Sequence, residues 1–326
     1  MQTVFKIFQE LHSNSTSLVD GFNISSLPLV KHHKIGVSPN GQPMFFIKSD
    51  SLEKSKSIDS NLEFISVQYN RECQLLTNTK KTEEGIYTVI SLKTDSIDLQ
   101  EYFLEIVYLV VKKLSATPTL KELKIEVEKL INLFSKFSKP PSKTIQGLWA
   151  ELLVIEQSKN PEYLVRAWHS AITGKFDFND GVDKIEVKST AKSRRVHTFS
   201  IEQLNPNKNS NLLIVSVFAV ETGVGKSIFD LVESIEKRLK ETSLNLRINE
   251  ILAETLGNSF EKAFDVFFDY QLATDTIQFY KSESIPSIEM KNIPKELSQV
   301  HFESDLTEVT PIKKSKQDST LHKSLF

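Results

Sequence analysis

The spacing of apolar residues along this chain changes repeatedly, and each change marks a different kind of element. Over residues 1 to about 20, Val4, Phe5, Phe8 and Leu11 recur at helical spacing, which predicts a short amphipathic helix ending before Asn14. From Leu27 to about Leu92 the pattern becomes period-two and is broken by turn residues. The segments are Lys34 to Val37, Pro43 to Ile47, Leu62 to Tyr69 and Ile86 to Leu92, with Ser38-Pro39-Asn40-Gly41 between the first two. An antiparallel sheet of about six short strands is expected. Helical spacing returns over Ile97 to Lys113 and Thr119 to Phe137. Pro140-Pro141 then stops it, because proline has no amide donor and crowds the preceding turn.

A second set of patterns follows. Ile145, Leu148, Leu152 and Ile155 form one stripe of a helix, with Glu151 beside it. Phe176 and Phe178 alternate with Lys175, Asp177 and Asn179, and Ile185 and Val187 alternate with Lys184, Glu186 and Lys188. Between them lies Asp180-Gly181, so a β-hairpin with one buried and one polar face is predicted. A two-residue turn puts Asp177 diagonal to Glu186, roughly 7–8 Å away, and a four-residue loop puts them opposite, roughly 5 Å away. A three-residue loop would set Glu186 level with the apolar face of Phe178, so the pattern argues against it. Arg195 to Ser200 reads as a third strand. Ser200 with Gln203 three residues on reads as the start of a second helix. Asn211 to Val220 is nearly all apolar, suited to a strand buried on both faces. Helices are expected at Ser227 to Leu239 and Ile248 to Leu256, and strand-like runs at Ala263 to Leu272 and Thr276 to Tyr280. The chain turns polar from Glu283, and Lys313-Lys314-Ser315-Lys316 falls in an expected disordered tail. The expected fold class is α/β (α+β), with a β-rich domain and two trailing helices over 1–140, a second domain over 141–285 and a polar tail over 286–326.

Composition narrows the setting. The 326 residues are 39% hydrophobic and include 21 Phe, enough for two cores. A single cysteine, Cys73, excludes an intrachain disulfide and cysteine-based zinc sites, as suits a reducing compartment. No basic, then long apolar, leader opens the sequence, and no run approaches the ~18 apolar residues of a membrane span. A cytoplasmic protein without membrane contact is expected. The net charge of −2 gives no broad basic face of the kind that phosphate neutralisation favours. Positive charge is instead local: Lys188, Lys192, Arg194, Arg195 and His197 lie within ten residues. They read either as a rim contacting nucleic-acid phosphates or as an ordinary solvated loop.

Two carboxylates and an amine on one patch suit a hard cation beside a polarised water. Asp177 followed by Glu186-Val187-Lys188 resembles the motif of the PD-(D/E)XK phosphodiesterases, the restriction-endonuclease-like nucleases. The triplet alone is unspecific, since Glu122-Leu123-Lys124 and Glu289-Met290-Lys291 also match it. The order helix, three strands, helix, strand over about 143–220 is what resembles that nuclease core. The layout is similar to a bacterial branch linked to restriction and phage defence. That branch has a β-rich N-terminal region, a Gly-Leu-x-x-Glu-Leu helix, an Asp-Phe…Glu-Val-Lys-Ser-Thr hairpin and a Glu-Gln-Leu helix start. Here these are Gly147 to Leu152, Asp177-Phe178, Glu186 to Thr190 and Glu202-Gln203-Leu204, while Phe176 replaces the proline of the superfamily's name.

The resemblance implies an Mg²⁺-dependent endonuclease acting on DNA, with Mn²⁺ able to substitute. Asp177, Glu186 and the Val187 carbonyl would supply oxygen ligands, with Glu151 from the first core helix directed at the same site. Lys188 would orient the attacking water, and Gln203 would position it or contact substrate; otherwise Gln203 only caps its helix. A methyltransferase or an ATPase/helicase subunit is the implied partner, and a homodimer would bring the two active sites that double-strand cutting needs. The alternatives are an RNA-directed nuclease and a catalytically silent, nuclease-fold subunit binding DNA or protein. Asp180 and Asp183 rival Asp177 but read as turn residues. His32-His33 would point to opposite faces of a strand. Thr222 to Ser227 imitates a phosphate loop, but Val220 stands where the pattern needs its first glycine.

Overall fold

Thr119 and Glu122 show how local chemistry sets an element boundary in this protein: each side chain accepts a bond from the other's backbone amide, and a helix starts there. The computed structural model describes residues 3–13, 22–49, 58–77, 82–169, 174–205, 210–312 and 319–326. They fall into two units, Met1–Lys139 and Pro140–Phe326.

In the first unit, α1 (Val4–Ser13) buries Val4, Ile7, Phe8 and Leu11. Strands β1 (Phe22–Ser26), β2 (Lys34–Val37), β3 (Pro43–Lys48), β4 (Ser60–Asn61), β5 (Ile65–Thr77) and β6 (Thr82–Leu92) form one sheet in the order β1-β2-β3-β6-β5-β4. The sheet is not wholly antiparallel, because β1 also pairs parallel with β5 and closes five strands into a ring. Strand β5 serves both partners by shifting register between Gln68 and Arg71, where Asn70 adopts φ 52°. Helices α2 (Ile97–Val111) and α3 (Leu120–Phe134) cover the sheet through Phe103, which meets Phe45 and Phe134 edge-on. Buried His33 accepts from the Lys48 amide at Nδ1 and donates from Nε2 to the Ser115 carbonyl, which requires the neutral ring.

The second unit opens with α4 (Ile145–Gln157), capped by the Thr144 hydroxyl. Every residue from Leu148 to Ile155 is buried, a wider belt than the predicted stripe, because α4 lies between the sheet and a later helix. A short α5 (Pro161–Ala167) follows, capped by Asn160 with proline in its first turn. Then come β7 (Phe178–Asn179), β8 (Lys184–Thr190), β9 (Val196–Ser200), β10 (Leu212–Phe218), β11 (Glu221–Thr222), α6 (Ile228–Glu236), α7 (Thr242–Leu256), β12 (Phe267–Phe268), α8 (Tyr270–Thr276), β13 (Gln278–Lys281), β14 (His301–Asp305) and α9 (Thr320–Lys323). The main sheet runs β13-β10-β8-β7, with β8 and β10 parallel. Among the described residues no helix is long and apolar enough to cross a membrane.

Four expectations are corrected. The helix expected from Ser200 is a turn over Ile201–Asn205. Both capping bonds between Ser200 and Gln203 do form, but Pro206 stops propagation after one turn. Strand β9 pairs with β14, outside the main sheet. The polar tail is therefore partly built into the unit: Leu306 and Leu321 are buried, His322 bonds the Lys184 carbonyl, and Phe326 meets Phe279 edge-on. Lys313-Lys314-Ser315-Lys316 lies outside the described residues. The run Ala263 to Leu272 contains only the two-residue β12, between helical turns.

The stretch that imitates a phosphate loop is held by bridging. Lys226 and Phe268 exchange backbone bonds, and a Cβ on Gly225 (φ 140°) would fall 2.1 Å from the Phe268 carbonyl oxygen. The Lys226 amine lies over the Tyr270 ring, away from any phosphate cradle.

Candidate active site

Phe178 pairs with Ile185 and Asn179 with Lys184, leaving Asp180 to Asp183 as a four-residue loop. Asp180 accepts from the Val182 and Asp183 amides, Asn179 accepts from Gly181, and Gly181 takes φ 91°. Asp180 and Asp183 are thus committed locally, Asp183 also bonding Asn211. Of the predicted loop lengths this one sets Asp177, just before β7, opposite Glu186 on β8.

The hairpin's charged face is not open to solvent. Lys184, Glu186 and Asp177 are each at most 8% exposed. The Lys184 amine lies over Phe176, the Lys188 amine lies over Phe199, and Glu186 pairs across the sheet with Ile214. Phe176, Phe199, Leu204 and Ile214 belong to one buried cluster that roofs this face. The opposite face is roofed by α4, from which Gln146 reaches the Ser189 hydroxyl.

Each acid has charged or donor partners. Asp177 accepts from the Val187 amide at Oδ2 (2.8 Å) and from the Lys143 amine at Oδ1 (2.6 Å). Glu151, 3% exposed on α4, accepts from the same amine at Oε1 (2.6 Å) and from the Trp168 indole at Oε2 (2.7 Å). Glu186 accepts from the Lys188 amine (2.9 Å) and from the Gln203 side-chain amide (2.5 Å). Gln203 in turn accepts from Lys188 at 3.1 Å, so it joins acid and amine although it sits on a turn and not on a helix. Lys143 and Trp168 were not singled out in the sequence. Lys143 lies 34 residues from Asp177, and no spacing rule links a residue ahead of a helix cap to a distant hairpin.

Burial, then the Asp177 charge, push the Glu151 carboxyl well above the usual range, against the pull of Lys143 and its bonds. The same two causes push Glu186 up to about 7, with Lys188 opposing them. Burial works against the charge on Lys143, but Asp177 and Glu151 outweigh it and hold its pKa above the ordinary lysine value. Asp177 therefore acts on both glutamates, and three buried carboxylates compete for too little positive charge. Among the described residues no three acidic, His or Cys side chains close on a common point that could hold a metal. The donor set nevertheless fits a hard divalent cation, since it is all oxygen and already grips an ammonium nitrogen between two carboxylates.

The expected phosphate rim divides. Lys192 and Arg194 are exposed, Arg194 pairing with Asp305. Arg195 and His197 are buried, a correction to their predicted role. Arg195 donates to the Ser216 carbonyl and hydroxyl and to the Thr276 carbonyl, and it stacks on Phe218. His197 bonds the same Ser216 hydroxyl, and burial with the Lys188 and Arg195 charges lowers its pKa to about 4. A period-two strand sends alternate side chains inward, and here they are charged Arg195, neutral His197 and Phe199.

A cleft of about 490 Å³ opens beside Lys188, lined by Gln146, Ser189, Lys192, Thr198 and Glu303. A larger one, about 630 Å³, lies in the first unit against α1, but its described lining carries no lysine or arginine, whereas the smaller cleft carries Lys188 and Lys192. Chemistry and not size marks the site in the second unit.

A protein-family model described as "Putative PD-(D/E)XK family member, (DUF4420)" matches residues 5–307. No curated protein and no solved structure matches the chain.

Proposed function

This chain belongs to the PD-(D/E)XK family whose model spans it, and from that membership we propose that it is a divalent-metal-dependent endonuclease that hydrolyses DNA phosphodiester bonds in restriction or anti-phage defence. The observation that carries this reading is the meeting of Asp177, Glu186 and Lys188 at one end of a roofed hairpin, beside an open cleft.

Asp177 and Glu186, with Glu151 behind Asp177, would hold the ion, and the Val187 carbonyl is a further oxygen on the same strand. When bound, Mg²⁺ or Mn²⁺ lowers the pKa of a coordinated water and stabilises charge building on the phosphoryl group. Lys188 spends two N–H bonds on Glu186 and Gln203, and an ammonium group has three. That leaves one donor on a residue that lines the cleft, and there it would orient the nucleophile and meet negative charge on the phosphate. Gln203 keeps that amine aimed by holding acid and base together. Lys192, exposed on the cleft's lining, and Arg194, exposed two residues on and paired with Asp305, would meet backbone phosphates.

Nicking of supercoiled plasmid DNA with and without Mg²⁺ or Mn²⁺ tests the reading, run beside Asp177→Ala and Lys188→Ala and a matched RNA panel. Metal-dependent nicking by the wild type alone is expected. Equal behaviour of all three proteins would remove the enzymatic reading, and cleavage confined to RNA would replace its substrate.

A further inference from the structure

We propose, building on the metal-dependent reading above, that Lys143 is a resident counter-ion that holds Asp177 and Glu151 in the metal-free protein and yields its place when a divalent cation binds.

The geometry leaves little choice about which group must move. The described donors to these two carboxylates are the Val187 amide, the Trp168 indole and the Lys143 amine. The amide is fixed in β8, and the indole is wholly buried and stacked on Phe178. Lys143 alone of the three is on a flexible stem, ahead of the Thr144 cap, and its side chain is 29% exposed. Pro141 and Ser142 before it are exposed, so the stem has solvent to swing into. Its amine lies 2.6 Å from the facing oxygens Asp177 Oδ1 and Glu151 Oε1. A divalent ion taking those oxygens at about 2.0–2.1 Å would crowd the ammonium nitrogen and repel it.

Charge balance favours exchange over addition. Asp177, Glu151 and Glu186 face Lys143 and Lys188, which leaves the cluster one negative charge when all are ionised. A divalent ion in place of the amine makes it neutral, whereas an ion added beside the amine makes it positive in a buried site. The amine also keeps the two acids apart and pre-aimed while no metal is present.

Mn²⁺ binding by titration calorimetry on wild type, Lys143→Met, Asp177→Asn and the double variant tests the exchange. Lys143→Met removes the competitor, so its Asp177-dependent affinity should tighten about tenfold or more, since two charge-assisted bonds no longer break on binding. Affinity in Lys143→Met equal to or weaker than wild type, with Asp177-dependent binding intact, overturns the exchange and leaves the nuclease reading standing. Loss of Asp177-dependent binding from both overturns the two together. Should Lys143→Met not fold, amine acylation of the wild type followed by mass spectrometry gives the same decision. Labelling of Lys143 should rise several-fold when Mn²⁺ is added and not in Asp177→Asn, and unchanged or reduced labelling overturns the exchange.

Discussion

Replacing Arg195 with alanine separates a structural cation from a nucleic-acid contact. In the structure Arg195 is 5% exposed, and its guanidinium serves the Ser216 carbonyl and hydroxyl and the Thr276 carbonyl, stacked 4.3 Å from the Phe218 ring centre. Truncation strands the Ser216 carbonyl in the interior, costing about 1–3 kcal/mol, leaves the half-buried Thr276 carbonyl without this donor at a smaller cost, and removes the packing of the arginine stem. Burial also lowers the guanidinium pKa, so taking the charge out returns part of that loss. The Ser216 hydroxyl keeps its bond to His197, so the net destabilisation should be about 3 kcal/mol. For a unit the size of Pro140–Phe326 that lowers Tm by roughly 6–12 °C in differential scanning calorimetry. Lys192→Ala, on the exposed rim, should melt within about 2 °C of wild type. DNA affinity measured over a salt series should show the reverse order, with the salt slope falling by about one for Lys192→Ala and unchanged for Arg195→Ala below its melting point. An Arg195→Ala protein that melts like wild type but loses salt-dependent DNA affinity would refute this placement.

Acid should weaken both units through histidine. His33 and His197 have folded pKa values near 4 against 6.5 unfolded, so each favours the neutral ring, contributes fully above pH 6.5 and loses its contribution as pH falls toward 4. Each should remove about 2 kcal/mol by pH 5, read as a falling urea midpoint between pH 7 and pH 5, and a flat midpoint would contradict their burial. Gln203→Ala unties Lys188 from Glu186, so Mn²⁺ affinity or cleavage rate should fall about 10–100-fold; no change in either would reduce Gln203 to a turn residue.

Much of the fold was legible because its signals are local. Period-two runs became β2, β3 and β8, the nearly unbroken apolar run became β10, and helical stripes became α1 to α4, since element type follows from spacing alone. The hairpin pattern allowed two loop lengths, and only cross-strand pairing chose the four-residue one. Ser200 and Gln203 made their capping bonds as local chemistry requires, but Pro206 kept one turn from becoming a helix. Strand β9 was legible as a third strand, yet its partner, β14, comes from a stretch too polar to announce itself.

The division holds at the site as well. Asp177, Glu186 and Lys188 were marked by their own alternation, a property of neighbours in the chain. Burial of their charged face, the inward turn of Arg195 and His197, and the placement of Lys143 between Asp177 and Glu151 came only with the tertiary structure. Those depend on segments that meet across the fold, and side-chain charge in sequence carries no record of which distant oxygen it will neutralise.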